Sequence, residues 1–107
     1  MAMKAQDDRI LKRFRAALDE MYGRRIERVV LFGSRARGDA GPDSDYDVAV
    51  FLDAIPDRWA ELNRLADLRV VLLDETGAFF DAKPYPMAAY RDDTPLMFEV
   101  RREGVDL

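Results

Sequence analysis

The chain contains neither cysteine nor histidine. Without cysteine there are no disulfides, no thiolate metal sites and no thiol nucleophile. Without histidine, the commonest general base and the imidazole metal ligand are both missing. Any chemistry must rest on carboxylates, hydroxyls, backbone amides and a bound cation. Long apolar runs are also lacking. Nothing approaches membrane-spanning length, and the opening MAMKAQDDRILKRF has no apolar stretch like that of a signal peptide. A cytoplasmic protein without membrane contact is the expectation. Positive charge is in deficit too: the formal net charge is −4. The overall field therefore repels nucleic acid, and no basic stripe offers it a path.

What is present describes one folded domain, 1–107. A chain of 107 residues with 49% hydrophobic and 36% charged content can bury a core without staples and is not disordered in composition. There is no repeat, low-complexity tract or long linker. From Asp7 to Met21 apolar residues recur at Ile10, Phe14, Leu18 and Met21, which is helical spacing, with Gly23 as the stop. Ile26 to Phe32 and Tyr46 to Leu52 read as buried strands around the turn GDAGPDS. Asp57 is placed to cap a long helix reaching Thr76, with Gly77 as its break. Two stripes run along it: Trp59, Leu62, Ala66, Val70 and Leu73, then Leu65, Leu68 and Leu72. They predict a helix covered on two sides, although Val70 to Leu73 reads equally as strand. Ala78 to Tyr85 gives a third strand. Thr94, Pro95 and Gly104 frame a last helix whose Leu96, Met97, Phe98 and Val100 spread around its circumference, for burial or for a partner. The order is α-β-β-α-β-α, an α+β (α/β sandwich) fold around a short sheet.

The stretch VVLFGSRARGDAGPDSDYDVAVFL concentrates the chemistry. Strand alternation puts Asp45 and Asp47 on one face, about 6.5–7 Å apart along the chain. Two carboxylates so placed repel unless a cation lies between them, and magnesium, an oxygen-seeking ion, suits the position. Tyr46, Val48, Val50 and Leu52 would anchor the opposite face. Gly33 and Ser34 end the first strand, where glycine lets a phosphate approach the backbone and serine adds a hydroxyl. Arg35 and Arg37 can add charge-assisted contacts to a triphosphate. Each of these residues has a plainer reading: Asp45 as a turn residue, the arginines as solvated charge, Tyr46 as core.

Gly33-Ser34, ten intervening residues (35–44), then Asp45-Tyr46-Asp47 resembles the signature of the polymerase-β-like nucleotidyltransferase superfamily. The fuller string is similar to its minimal members, the MNT domains, typically antitoxins encoded beside a HEPN toxin. The resemblance spans nearly the whole chain. It implies the polymerase-β-like nucleotidyltransferase fold, with ATP as substrate and two magnesium ions as cofactors. Gly33, Ser34, Arg35, Arg37 and Ser44 are then the nucleotide-binding set, and Asp45 and Asp47 carry the metals. The superfamily places a third carboxylate on a later strand, for which Asp81 in FFDAK is the candidate, both as metal ligand and as catalytic residue. Its flanks depart from the family setting, and an edge-strand charge is the alternative. The implied activity is transfer of AMP to a tyrosine of a partner HEPN ribonuclease. The alternative is an antitoxin that neutralises by binding alone, with a vestigial nucleotide site.

Overall fold

The second strand of the signature dictates the architecture. In β2 (Tyr46–Leu52) every residue but Asp47 is buried. A strand buried on both faces must be central and covered from both sides. The computed structural model, which describes residues 8–107, places it so. β1 (Ile26–Phe32) pairs with it antiparallel, β3 (Phe80–Pro86) parallel, and a two-residue β4 (Val105–Asp106) closes the far edge, giving the order β3-β2-β1-β4. Asp7, the expected helix start, and the opening residues lie outside the described part.

The period-two alternation of β2 divides the core. Tyr46, Val48, Val50 and Leu52 join Val29, Leu31 and Phe80 against α1 (Arg9–Tyr22) and α3 (Arg58–Thr76). Ala49 and Phe51 join Val30 on the other face, under Met97 and Val100 of α4 (Pro95–Glu103). Phe80 is held between Phe14 at 4.4 Å and Tyr46 at 4.8 Å, both stacked. The expected α/β sandwich is therefore present, with helices on both faces of a mixed sheet.

Asp57 and Thr94 cap as expected, and Asp8 adds a cap that the sequence reading did not name. Asp8 accepts from the backbone N–H of Ile10 (2.7 Å), Asp57 from Ala60 (3.1 Å) and Thr94 from Met97 (3.2 Å). Gly77 ends α3 in the left-handed conformation at φ 75°. Other expectations need correction. The chain covers α3 on one side only: Leu65, Leu68 and Leu72 are buried, but Trp59 is 73% and Val70 66% exposed. β3 runs from Phe80 to Pro86, shifted from the expected span. The short α2 (Ser34–Arg37) and β4 were absent from the expected order. Both are too short to carry a period, and β4 is fixed by distant partners. Leu107 N–H donates to the Val29 carbonyl (2.9 Å), and Asp106 accepts from Arg28 Nε (2.8 Å). No helix among the described residues is long and apolar enough to cross a membrane.

Among the described residues, one charged residue lies in the core. Glu61 on α3 is 3% exposed and accepts from Arg25 Nη2 at 2.6 Å. Removing Arg25 leaves Glu61 only the more distant Arg64 Nε at 3.5 Å as countercharge. Arg25→Ala is expected to lower unfolding free energy by about 1–3 kcal/mol, discounted because Arg25 is itself partly exposed. A urea titration that detects no loss would contradict this.

Nearby, the buried Tyr22 hydroxyl has no hydrogen-bond partner among the described residues. Burial, then the charge of Glu61, pushes its pKa up from 10.0 to about 12. The protonated phenol is thus favoured in the folded state. Its contribution is full below about pH 10 and is lost as pH rises through about 12. Tyr22→Phe should leave neutral-pH stability unchanged or raise it by about 1 kcal/mol. It should also flatten the alkaline loss across that window, as read by urea melts at stepped pH.

Candidate active site

The site is built where β1 ends and β2 begins. Gly33 follows β1 with φ 74° and ψ −158°, a region open essentially to glycine alone. Its carbonyl accepts from the N–H groups of Ala36 and Arg37, both at 3.1 Å, which turns the chain into α2 with Ser34 first. A Cβ on Gly33 would run into the Asp47 carboxylate. The glycine thus lets the Gly33-Ser34 bend and Asp47 lie in contact.

Asp47 is flanked in register by Phe32 of β1 and by Asp81 of β3. Strand parity places Asp47 and Asp81 on the same face of neighbouring strands, the face that α4 covers. Burial, then the charges of Asp81, Asp45 and Glu99, raise the Asp47 pKa above the usual aspartate value, while Lys83 pulls it down. Lys83 lies 3.9 Å from Asp81. Asp45 sits at the exposed lip just before β2.

The remaining expected residues are held by internal contacts. Arg35 donates to the carbonyls of Ser44 (2.8 Å) and Pro42 (3.2 Å), with its guanidinium 4.2 Å over the Tyr46 ring. It clips the turn that delivers Asp45. Ser44 Oγ accepts from Gly41 N–H at 2.9 Å. Arg37 pairs with Asp39, Glu99 and Glu103. Tyr46 is 3% exposed and donates its hydroxyl to Asp8 (3.1 Å), in keeping with the core reading.

The structure brings Gly33, Asp47 and Asp81 together, with Asp45 close enough for its charge to be felt. Among the described residues no group of three acidic side chains is drawn tightly enough to grip one ion as it stands. The donor set nonetheless fits a hard divalent cation. It is all oxygen, and burial followed by mutual repulsion raises the pKa of its central member, a strain that a cation would relieve. Asp45, Asp47 and Asp81 are the residues that would hold it. Sequence reading missed Glu99, Glu103 and Lys83. The two glutamates stand one turn apart on α4, which marks a common face but not what it meets.

The family model described as a nucleotidyltransferase domain matches residues 11–86. A Methanocaldococcus jannaschii protein named "Putative protein adenylyltransferase" is 33% identical over 76 residues, covering 71% of this chain and 70% of that protein. A crystal structure of a toxin–antitoxin with AMP-PNP superposes with a TM-score of 0.62 at 21% identity, over 89% of this chain and 70% of that one. A mutant of the toxin–antitoxin MntA-HpeT gives 0.63 at 19% identity with the same coverages. At such identities the structural likeness establishes the fold, while the family rests on the sequence matches. The chain belongs to the nucleotidyltransferase domain family.

Proposed function

We propose that this chain is an antitoxin that transfers AMP from ATP to a tyrosine hydroxyl of a partner HEPN-type ribonuclease. The observation that carries the reading is the contact between the Gly33-Ser34 bend and Asp47, with Asp81 beside it on the next strand. A phosphate cradle and paired carboxylates then share one place. The relative named for protein adenylylation supports the reaction class, and the toxin–antitoxin chains of like fold support the biological role. The uncovered apolar stripe at Trp59 and Val70 agrees with a protein that works in a complex.

In the reaction the tyrosine oxygen attacks the α-phosphorus and a new P–O bond forms. The bond from the α-phosphorus to the bridging oxygen breaks, pyrophosphate leaves, and the phenolic proton passes to a carboxylate or to water. Magnesium, when bound, supplies neutralisation of the charge on the phosphoryl oxygens. Ser34 and the backbone at Gly33 hold the outer phosphates, and no Cβ blocks their approach. Asp45, Asp47 and Asp81 would hold the cation, and Asp81, on the flank away from the cradle, would also take the acceptor's proton.

The test is incubation with the neighbour-encoded partner, magnesium and labelled ATP. Label on a partner tyrosine, absent when EDTA is added, is the expected outcome. No label with a confirmed complex would overturn the enzymatic reading. A second reading, neutralisation by binding alone, is favoured by the internal engagement of Arg35 and Arg37. Under it, silencing of the partner would survive Asp45→Asn and Asp47→Asn together.

A further inference from the structure

Arg37 ends the α2 turn that Ser34 begins, and it joins that turn to the helix lying over the site. Its Nε donates to Asp39 at 3.2 Å, while its Nη1 reaches Glu99 at 3.4 Å and Glu103 at 3.2 Å. Glu99 also bears on the carboxylates, since its charge is felt at Asp47. None of these pairs is sealed from water: the side chains of Arg37, Glu99 and Glu103 are 40%, 38% and 32% exposed. Ion pairs so open are weak and exchange partners readily. A polyphosphate offers the planar guanidinium two parallel, charge-assisted bonds and more charge than one carboxylate.

We propose that the Arg37 guanidinium is shared between two rivals, the α4 glutamates Glu99 and Glu103 on one side and the polyphosphate of a bound nucleotide on the other. The two glutamates hold Arg37 when no nucleotide is bound and are displaced from it when one enters. They therefore weaken nucleotide binding, and nucleotide occupancy loosens the tie between α2 and α4. Once Arg37 turns to phosphate, Glu99 faces Asp47 without its countercharge, and their repulsion adds to the loosening of α4. This inference rests on the reading of Gly33-Ser34 as a phosphate cradle.

The experiment is a double-mutant cycle on the full chain, titrating AMP-PNP with magnesium by calorimetry. Glu99→Gln with Glu103→Gln keeps side-chain shape and removes both charges. In the Arg37 background this pair should tighten binding about threefold to tenfold. In an Arg37→Met background the same pair should change binding by less than about twofold, because the rivalry has been removed. An Arg37→Gln series, which also removes the charge and carries the same expectation, provides a second arm should the methionine variant not fold. Equal tightening in both backgrounds would mean simple repulsion of the nucleotide and would overturn the proposal. No change, or weaker binding, would do so too. Absence of heat from all of the proteins would instead defeat the nucleotide reading itself, and this inference with it.

Discussion

Asp47→Asn should reduce AMP transfer by about 10²–10³-fold, the largest loss expected of any single change in this chain. Asp47 lies at the centre of the carboxylate group, between Asp81 and the Gly33 bend. Its replacement keeps the shape and removes the charge on which the proposed cation binding depends. The fold should not suffer. Burial and three neighbouring carboxylates all raise the Asp47 pKa, so its charge is opposed by its surroundings when no cation is bound. The variant should melt, in EDTA, at the same temperature as the parent or higher. A variant that keeps more than a tenth of the transfer rate, or that unfolds, would remove Asp47 from the role given to it.

Gly33→Ala should harm both stability and nucleotide binding. Its backbone lies in a region that side chains avoid, at a cost of about 1–3 kcal/mol. The added methyl also points into the Asp47 carboxylate, so relief of the clash displaces the acidic group from the bend. Urea unfolding should report the first effect. Calorimetry with AMP-PNP and magnesium should report the second as a loss of affinity greater than about tenfold. Gly38 also has positive φ, but nothing stands within 4 Å of where its Cβ would be. Gly38→Ala should therefore be strained without loss of binding, which separates the backbone effect from the contact.

The elements legible in the sequence were those with a period and a cap. Apolar spacing announced the first helix, Asp57 and Thr94 the other two, Gly23 and Gly77 ended two of them, and the β-branched runs at 26–32 and 46–52 gave β1 and β2 with their observed bounds. Periodicity could not say which apolar stripe of α3 meets the sheet. Both are apolar, and only the packing on β3 and α1 selects Leu65, Leu68 and Leu72 over Trp59 and Val70. Glu61 was invisible for a related reason: its burial depends on Arg25, which is distant in sequence. At the site, spacing announced Gly33, Asp45 and Asp47, and parallel registration of β3 brings Asp81 beside Asp47. The roles of Arg35 and Arg37 depend on the loop carbonyls and α4 glutamates they meet, which no local pattern encodes.

Edge strand β3 carries two prolines, Pro84 and Pro86. Tyr46 N–H donates to the Phe79 carbonyl at 2.8 Å, so residues 79, 81, 83 and 85 turn their backbone groups toward β2. Positions 80, 82, 84 and 86 turn away from it, and at the last two there is no N–H to give. A foreign strand laid along this rim would run out of donors after Ala82. Copies of the molecule are thereby hindered from zipping together along this rim, and a partner meeting it would be recognised through side chains instead of by lengthening the sheet there.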